Sequence, residues 1–187
     1  MLTWLIGRRL DAFEREWGYD AAYMRMVLQA DRAGFLKFAR GTAFAQHRAP
    51  EAPKAAWYAA KLSAVMFEDC GPCAQLAVTM AERGGVATET LRALIEGDGA
   101  RIDPAAALGF EFAQAVLRRD DERADQLREE IKRRWGERAL VSISLALTGV
   151  RMFPTLKRAL GHGRECRRLI VAGEAVIVGR GLKAVAA

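Results

Sequence analysis

The sequence predicts an all-α fold, and three observations carry that prediction. Apolar residues recur at helical spacing through most of the 187 residues, so that each stretch has one apolar face. Glycines, prolines and short acidic residues that stop or cap helices fall between these stretches. Strand-like patterning is confined to one short C-terminal run, "LIVAGEAVIVG".

Taken in order, Leu2, Ile6, Leu10, Phe13 and Trp17 line one face of a first helix, which Gly18 ends. Asp20 caps a short second helix carrying Tyr23, Met24 and Val27. A third covers 35–44. The stretch 47–53, "HRAPEAP", reads as a loop, because Pro50 and Pro53 each remove a backbone donor and push the preceding residue out of helical geometry. The fourth helix begins at Glu51 or Ala52 and ends at Phe67; it is alanine-rich and amphipathic, with Tyr58, Leu62, Val65 and Met66 as its stripe. The fifth runs from Cys70 to about Arg83 and stops at Gly84-Gly85. Further helices cover 88–95, then 104–117 with Asp103 as cap and Pro104 in the first turn, and 121–135 with Ala124, Leu127 and Ile131 inward. The run 137–161 reads as one long helix that Pro154 kinks or splits. Beyond Gly163, the β-branched residues around Gly173 predict a small hairpin or an extended tail. About eight helices therefore make a single domain, with 1–50 as a helical extension, 51–161 as the core and 162–187 as a tail.

Composition narrows the function. With 51% hydrophobic and 28% charged residues the chain has enough apolar surface for a core. Its net charge of +6 is spread over short clusters, among them Arg8-Arg9, Arg118-Arg119 and Arg133-Arg134, which read as solvated helix faces beside acidic residues. Aromatics are only 8%, so the basic stripe interleaved with aromatics that nucleic-acid binding needs is not present. The longest nearly uncharged run, 139–150, is shorter than the roughly 20 residues that span a bilayer, and is expected to be a core helix. In "MLTWLIGRRLDAF" the basic residues follow the apolar patch and no small-residue cleavage site appears, unlike a secretory signal. Three cysteines, an odd number, argue against a disulfide-stapled secreted protein. The expectation is a cytoplasmic protein without nucleic-acid or membrane partners.

The chemistry points to "FEDCGPCAQL". Cys70-Gly71-Pro72-Cys73 is a Cys-x-x-Cys pair, which in a cytoplasmic chain is redox-active, catalytic or metal-binding. Thioredoxins carry the same tetrapeptide, but where a strand runs into a helix; here an alanine-rich helix precedes it. A thiolate is the reactive form, and Cys70 at a helix start lies where free N–H groups and the macrodipole favour negative charge. Gly71 allows close backbone approach, and Pro72 in the first turn preorders it. The spacing brings Cys73 within sulfur-bonding reach. Glu68 and Asp69 would raise a nearby thiol's pKa unless one accepts its proton, which makes Glu68 a candidate base; Asp69 is the expected cap of the following helix.

Two other readings stand beside this one. The cysteines simply pack as small hydrophobes, or they bind zinc together with His162 and Cys166, whose spacing puts both on one helical face. His47, in a proline-flanked loop, and His162, between glycines, are expected at the surface. "GEAVIVGRG" lacks the spacing and the following helix of a nucleotide-binding loop, and no cofactor is expected.

With its helices and cysteines so placed, the chain resembles the carboxymuconolactone decarboxylase / alkylhydroperoxidase D-like family. The resemblance runs over 52–161 and is anchored in "AWYAAKLSAVMFEDCGPCAQLAVTMAERGGV" and "WGERALVSISLALTGVRMFPTLKRALG". It implies a thiol-dependent peroxidase or disulfide reductase, assembled as a homo-oligomer, with Cys70 and Cys73 cycling between dithiol and disulfide, a peroxide as substrate and a dithiol protein or small thiol as reductant. The positions of that family's proton relay hold Tyr58, Pro72 and Ala77 here, so only the cysteines carry over, with Glu68 or Tyr58 as substitutes, or with activity weakened or lost. Exposure at the helix end favours Cys70 as the attacking sulfur; the resemblance favours Cys73.

Overall fold

The computed structural model of the protein describes residues 2–98, 102–163 and 168–179. Among them are eight helices, α1 (Leu2–Trp17), α2 (Ala22–Ala30), α3 (Arg32–Gln46), α4 (Lys54–Phe67), α5 (Gly71–Arg83), α6 (Thr88–Glu96), α7 (Pro104–Arg118) and α8 (Asp121–Ala159), and one hairpin, β1 (Arg168–Val171) with β2 (Glu174–Ile177). The all-α expectation and the small C-terminal hairpin are both present.

Helix α4 is the centre. It packs against α5, α7 and α8, and every residue from Ala59 to Met66 is buried. The expected single apolar stripe is therefore too narrow a description: a helix enclosed on all sides has no solvent face, and its alanines let the neighbours come close. The closest approach is at Gly109 of α7, where a Cβ would stand 2.2 Å from the Ala56 carbonyl oxygen. Helix α4 also starts later than expected, at Lys54, since Pro53 takes the N-cap position at φ −57°, ψ 136°.

Helices α1 to α3 form a second layer. Leu10, Tyr19, Tyr23, Leu28 and Phe35 make a separate apolar cluster, against which pack Leu76 of α5, Leu156 of α8 and Leu160 just after it. Asp20 accepts from the Ala22 N–H at 2.8 Å at the start of α2, and Asp31 caps α3 by accepting from Gly34, so that α3 begins at Arg32, three residues before the start the sequence suggests. The outer end of α1 leaves Leu2, Trp4 and Leu5 exposed, Trp4 by 60%.

The C-terminal run breaks between 135 and 137, where the sequence separates two helices, and not at Pro154, where a kink or split is expected. Helical geometry is interrupted at Gly136, at φ 80° and ψ 171°, and α8 then continues through Pro154 to Ala159. The extended left-sided backbone at Gly136 is open to a residue without a side chain, whereas Pro154 only removes one N–H from the ladder. The first segment of α8 carries the charge clusters as local pairs, Asp125 with Arg128, Glu129 with Lys132, and Glu130 with Arg133 and Arg134. Helix α8 as a whole holds an 18-residue window of mean hydropathy 1.5, enough by length and composition to cross a membrane, and 44% of that window is buried within the protein. It packs against α3, α4 and α7, as a core helix does.

The hairpin turns on Ala172 and Gly173, both at positive φ (49° and 82°), which matches the twist of a two-residue connection. β1 lies on α5 and β2 on α6, with Leu169, Val171 and Val176 buried.

Candidate functional site

The cysteine pair is placed by the corner between α4 and α5. After Phe67, Glu68 closes α4 and Asp69 turns the chain at φ 50°. Cys70 then occupies the N-cap of α5 at φ −110°, ψ 96°, with Pro72 in the first turn. The cap is thus Cys70 and not Asp69. Its sulfur lies 2.7 Å from that of Cys73, about 0.7 Å beyond a disulfide bond, and both thiols are free. Neither sits at the surface: Cys70 is 2% exposed and Cys73 6%, so the helix end is covered.

The cover comes from both ends of the chain. Lys157 of α8, itself 2% exposed, donates to the Tyr19 hydroxyl at 3.3 Å, and that hydroxyl lies 3.9 Å from the Cys73 sulfur. The same ammonium stands 4.6 Å from the Tyr19 ring centroid and 5.1 Å from that of Tyr23. No carboxylate pairs with Lys157 among the described residues, so its positive charge is directed to the aromatic rings and the thiols.

These neighbours divide the two sulfurs. The hydrogen bond with Cys73 is the largest influence on Cys70 and lowers its pKa; burial opposes it, the Cys73 backbone N–H and the charges of Lys157 and Arg158 reinforce it, and the result is about 7. Cys73 is pushed up, first by that same hydrogen bond, in which it keeps the proton, and then by burial. Tyr19 is also pushed up by burial and by the charge on Cys73. As pH rises through about 7 the pair passes to a form with one proton and one negative charge, with a protonated phenol beside it.

Cys73 opens inward. A cavity of about 440 Å³ lies between the α1–α3 layer and the core, and Cys73 lines it with apolar residues such as Leu10, Phe13, Phe35 and Met80.

The other candidates are placed elsewhere. The Glu68 carboxylate accepts from Arg151 Nε at 2.6 Å, and its backbone carbonyl accepts from Arg158 Nη2 at 2.8 Å; these bonds tie the α4–α5 corner to α8. Tyr58 lies against Gly84, where a Cβ would stand 2.3 Å from its Cε2. Gly84 follows the last residue of α5, about 20 Å along the helix axis from Cys70 at 1.5 Å per residue, so Tyr58 is not brought to the thiols. His47 is exposed and His162 half-buried. No group of three or more His, Cys, Asp or Glu side chains fit for a metal occurs among the described residues; Cys166, the fourth member of the zinc alternative, lies outside them.

Replacing Glu68 with glutamine should therefore cost about 1 kcal/mol or less, as a half-exposed pair does, and leave the pH midpoint of thiol alkylation unchanged. Urea unfolding and iodoacetamide kinetics measure the two effects separately.

Sequence reasoning passed over Tyr19, Tyr23 and Lys157. A signal for Lys157 was present: it is flanked on the same α8 face by Phe153, Leu156 and Leu160, an apolar setting that a solvated lysine does not choose. Compared with protein-family models, with curated proteins and with solved structures, the chain finds no match.

Proposed function

We propose that the protein is a thiol oxidoreductase that reduces peroxides through Cys70 and Cys73. The observation that carries this reading is the 2.7 Å sulfur pair, whose geometry, with Lys157 and Arg158 nearby, lowers the Cys70 pKa; the resemblance to alkylhydroperoxidase-like proteins supports it.

In the proposed cycle the Cys70 thiolate draws the proton from Cys73 across their hydrogen bond, leaving Cys73 as the thiolate that faces the cavity. Cys73 attacks one oxygen of the peroxide. An S–O bond forms, the O–O bond breaks, and the departing alkoxide takes the proton now on Cys70, giving an alcohol and a sulfenic acid. The renewed Cys70 thiolate then attacks the Cys73 sulfur and expels hydroxide, which takes up a solvent proton to leave as water. The dithiol has lost two electrons and become a disulfide; an external dithiol protein or small thiol restores it by exchange. Tyr19 and Lys157 are positioning residues: the ammonium stabilises negative charge on the pair and the phenol orients towards Cys73. A homo-oligomer in the cytoplasm completes the proposal, the exposed Leu2, Trp4 and Leu5 being the apolar patch that association would cover.

One equivalent of hydrogen peroxide should convert the pair to a Cys70–Cys73 disulfide, seen by mass spectrometry as the loss of two hydrogens; an unchanged dithiol overturns the reading. Alkylation by iodoacetamide should accelerate as pH rises through about 7, since only the thiolate reacts. Lys157→Met removes a charge that lowers this midpoint, so the midpoint moves up and alkylation at pH 7 slows roughly 3- to 10-fold.

The burial of both sulfurs favours a second reading, in which the pair only packs. It predicts that the double serine variant loses thermal stability and that peroxide leaves the parent protein unaltered.

A further inference from the structure

The cavity beside Cys73 carries a feature that the redox cycle does not use. Lys61, in the middle of α4, lines it and is 2% exposed. It is the one charged residue of α4 beyond the first turn. Its ammonium donates to Gln46 Oε1 at 3.2 Å and stands 3.9 Å from the Trp57 ring centroid. Among the described residues no carboxylate pairs with it. Burial lowers its pKa to about 7, which records how poorly the present surroundings compensate the charge.

The rest of the lining sharpens this. Among the described residues, Arg9 of α1, exposed to solvent, is the only other charged residue along the cavity, and no Asp or Glu lines it. The remaining wall is mainly apolar and aromatic. An apolar chamber of about 440 Å³ is of ligand size, and two cations with no acid give it a sign. A buried ammonium without a counter-charge is unfavourable until an anion reaches it. Gln46 lines the cavity beside Lys61 and now turns its Oε1 to the ammonium; a half-turn of the amide would bring its NH₂ there instead, so that amine and amide could donate to the two oxygens of one carboxylate.

We infer that the cavity binds a single-chain carboxylic acid, its carboxylate on Lys61 and Gln46 and its alkyl chain along the apolar wall towards Cys73. The inference goes beyond the peroxidase reading and does not depend on it, because binding requires no thiol chemistry.

Isothermal titration calorimetry with dodecanoate and with dodecanol tests it, since the two differ in the head group alone. The protein should bind dodecanoate at least ~10-fold more tightly than dodecanol. Lys61→Met keeps a buried chain of similar length; it should erase that preference while holding dodecanol affinity within about 2-fold. Gln46→Leu, at the exposed end of α3, should weaken the preference roughly 3-fold and serves if the Lys61 variant does not fold. Equal affinity for the two probes, no binding of dodecanoate, or a preference that survives Lys61→Met would each overturn the inference. A protein that binds dodecanoate yet leaves peroxide intact fails the peroxidase reading alone.

Discussion

Cys73→Ser should abolish peroxide consumption, lowering the dithiol-dependent rate by on the order of 10³-fold or more. In the proposed cycle this sulfur faces the cavity and forms the sulfenic acid, and a serine hydroxyl at that place neither ionises near neutral pH nor attacks an O–O bond. The serine hydroxyl can still donate a hydrogen bond to Cys70 in place of the thiol, so the remaining Cys70 should keep its lowered pKa and still alkylate near neutral pH. Cys70→Ser should behave differently. Turnover again falls to background because no resolving sulfur remains, but peroxide should still oxidise Cys73, more slowly because the thiolate that takes its proton is gone, and the trapped sulfenic acid should form a dimedone adduct visible by mass spectrometry. A dimedone adduct on Cys70 in the Cys73→Ser protein, with none on Cys73 in the Cys70→Ser protein, would reverse the assignment of attacking and resolving sulfur.

The second large effect is on stability. Gly109→Ala adds one carbon where α7 crosses α4, and that carbon would lie 2.2 Å from the Ala56 carbonyl oxygen and 2.7 Å from its carbonyl carbon. The obstacle is backbone, which cannot rotate aside like a side chain, so the two central helices must separate. Overpacking of this kind costs about 3 kcal/mol, and in a chain of this size the melting temperature should fall by roughly 6 to 12 °C. Differential scanning calorimetry reads the shift directly. An unchanged melting temperature would mean that α4 and α7 are less closely packed than described.

The helices were legible because each has an apolar face that repeats every turn. Legibility failed where packing, not pattern, decides. Helix α4 looks amphipathic, since alanine does not announce whether it is buried; only the arrival of α5, α7 and α8 encloses it. The break at Gly136 was legible as the boundary between 135 and 137, since a backbone at φ 80° strongly favours glycine; the kink expected at Pro154 is not there, because a proline in a helix can forfeit its hydrogen bond and keep helical angles. The cysteine pair was legible as a local motif, and Glu68 was chosen because it is near in sequence. The groups that bear on the thiols lie far along the chain: Tyr19 is 54 residues from Cys73, and Lys157 is 138 residues from Tyr19. No spacing rule joins such residues before the fold does. Lys61 and Lys157 show the signal that was available, a single lysine inside an otherwise apolar helical face, which marks either a buried counter-charge or a waiting one.

The separate cluster formed by α1, α2 and α3 has a consequence for the timing of the proposed cycle. A small peroxide can enter through the cavity, but a reductant must bring its own sulfur into line with the disulfide, and a protein reductant cannot do so at cysteines that are 2% and 6% exposed. Tyr19 and Tyr23 belong to the smaller cluster, and a smaller cluster can open at less expense than the main core. Oxidation and reduction would then run through different doors: substrate through the standing cavity, electrons through a brief swing of the N-terminal layer. On that view the layer that carries Tyr19 and Tyr23 would be the shutter of the proposed enzyme, and how often it lifts would set how fast the pair can be recharged.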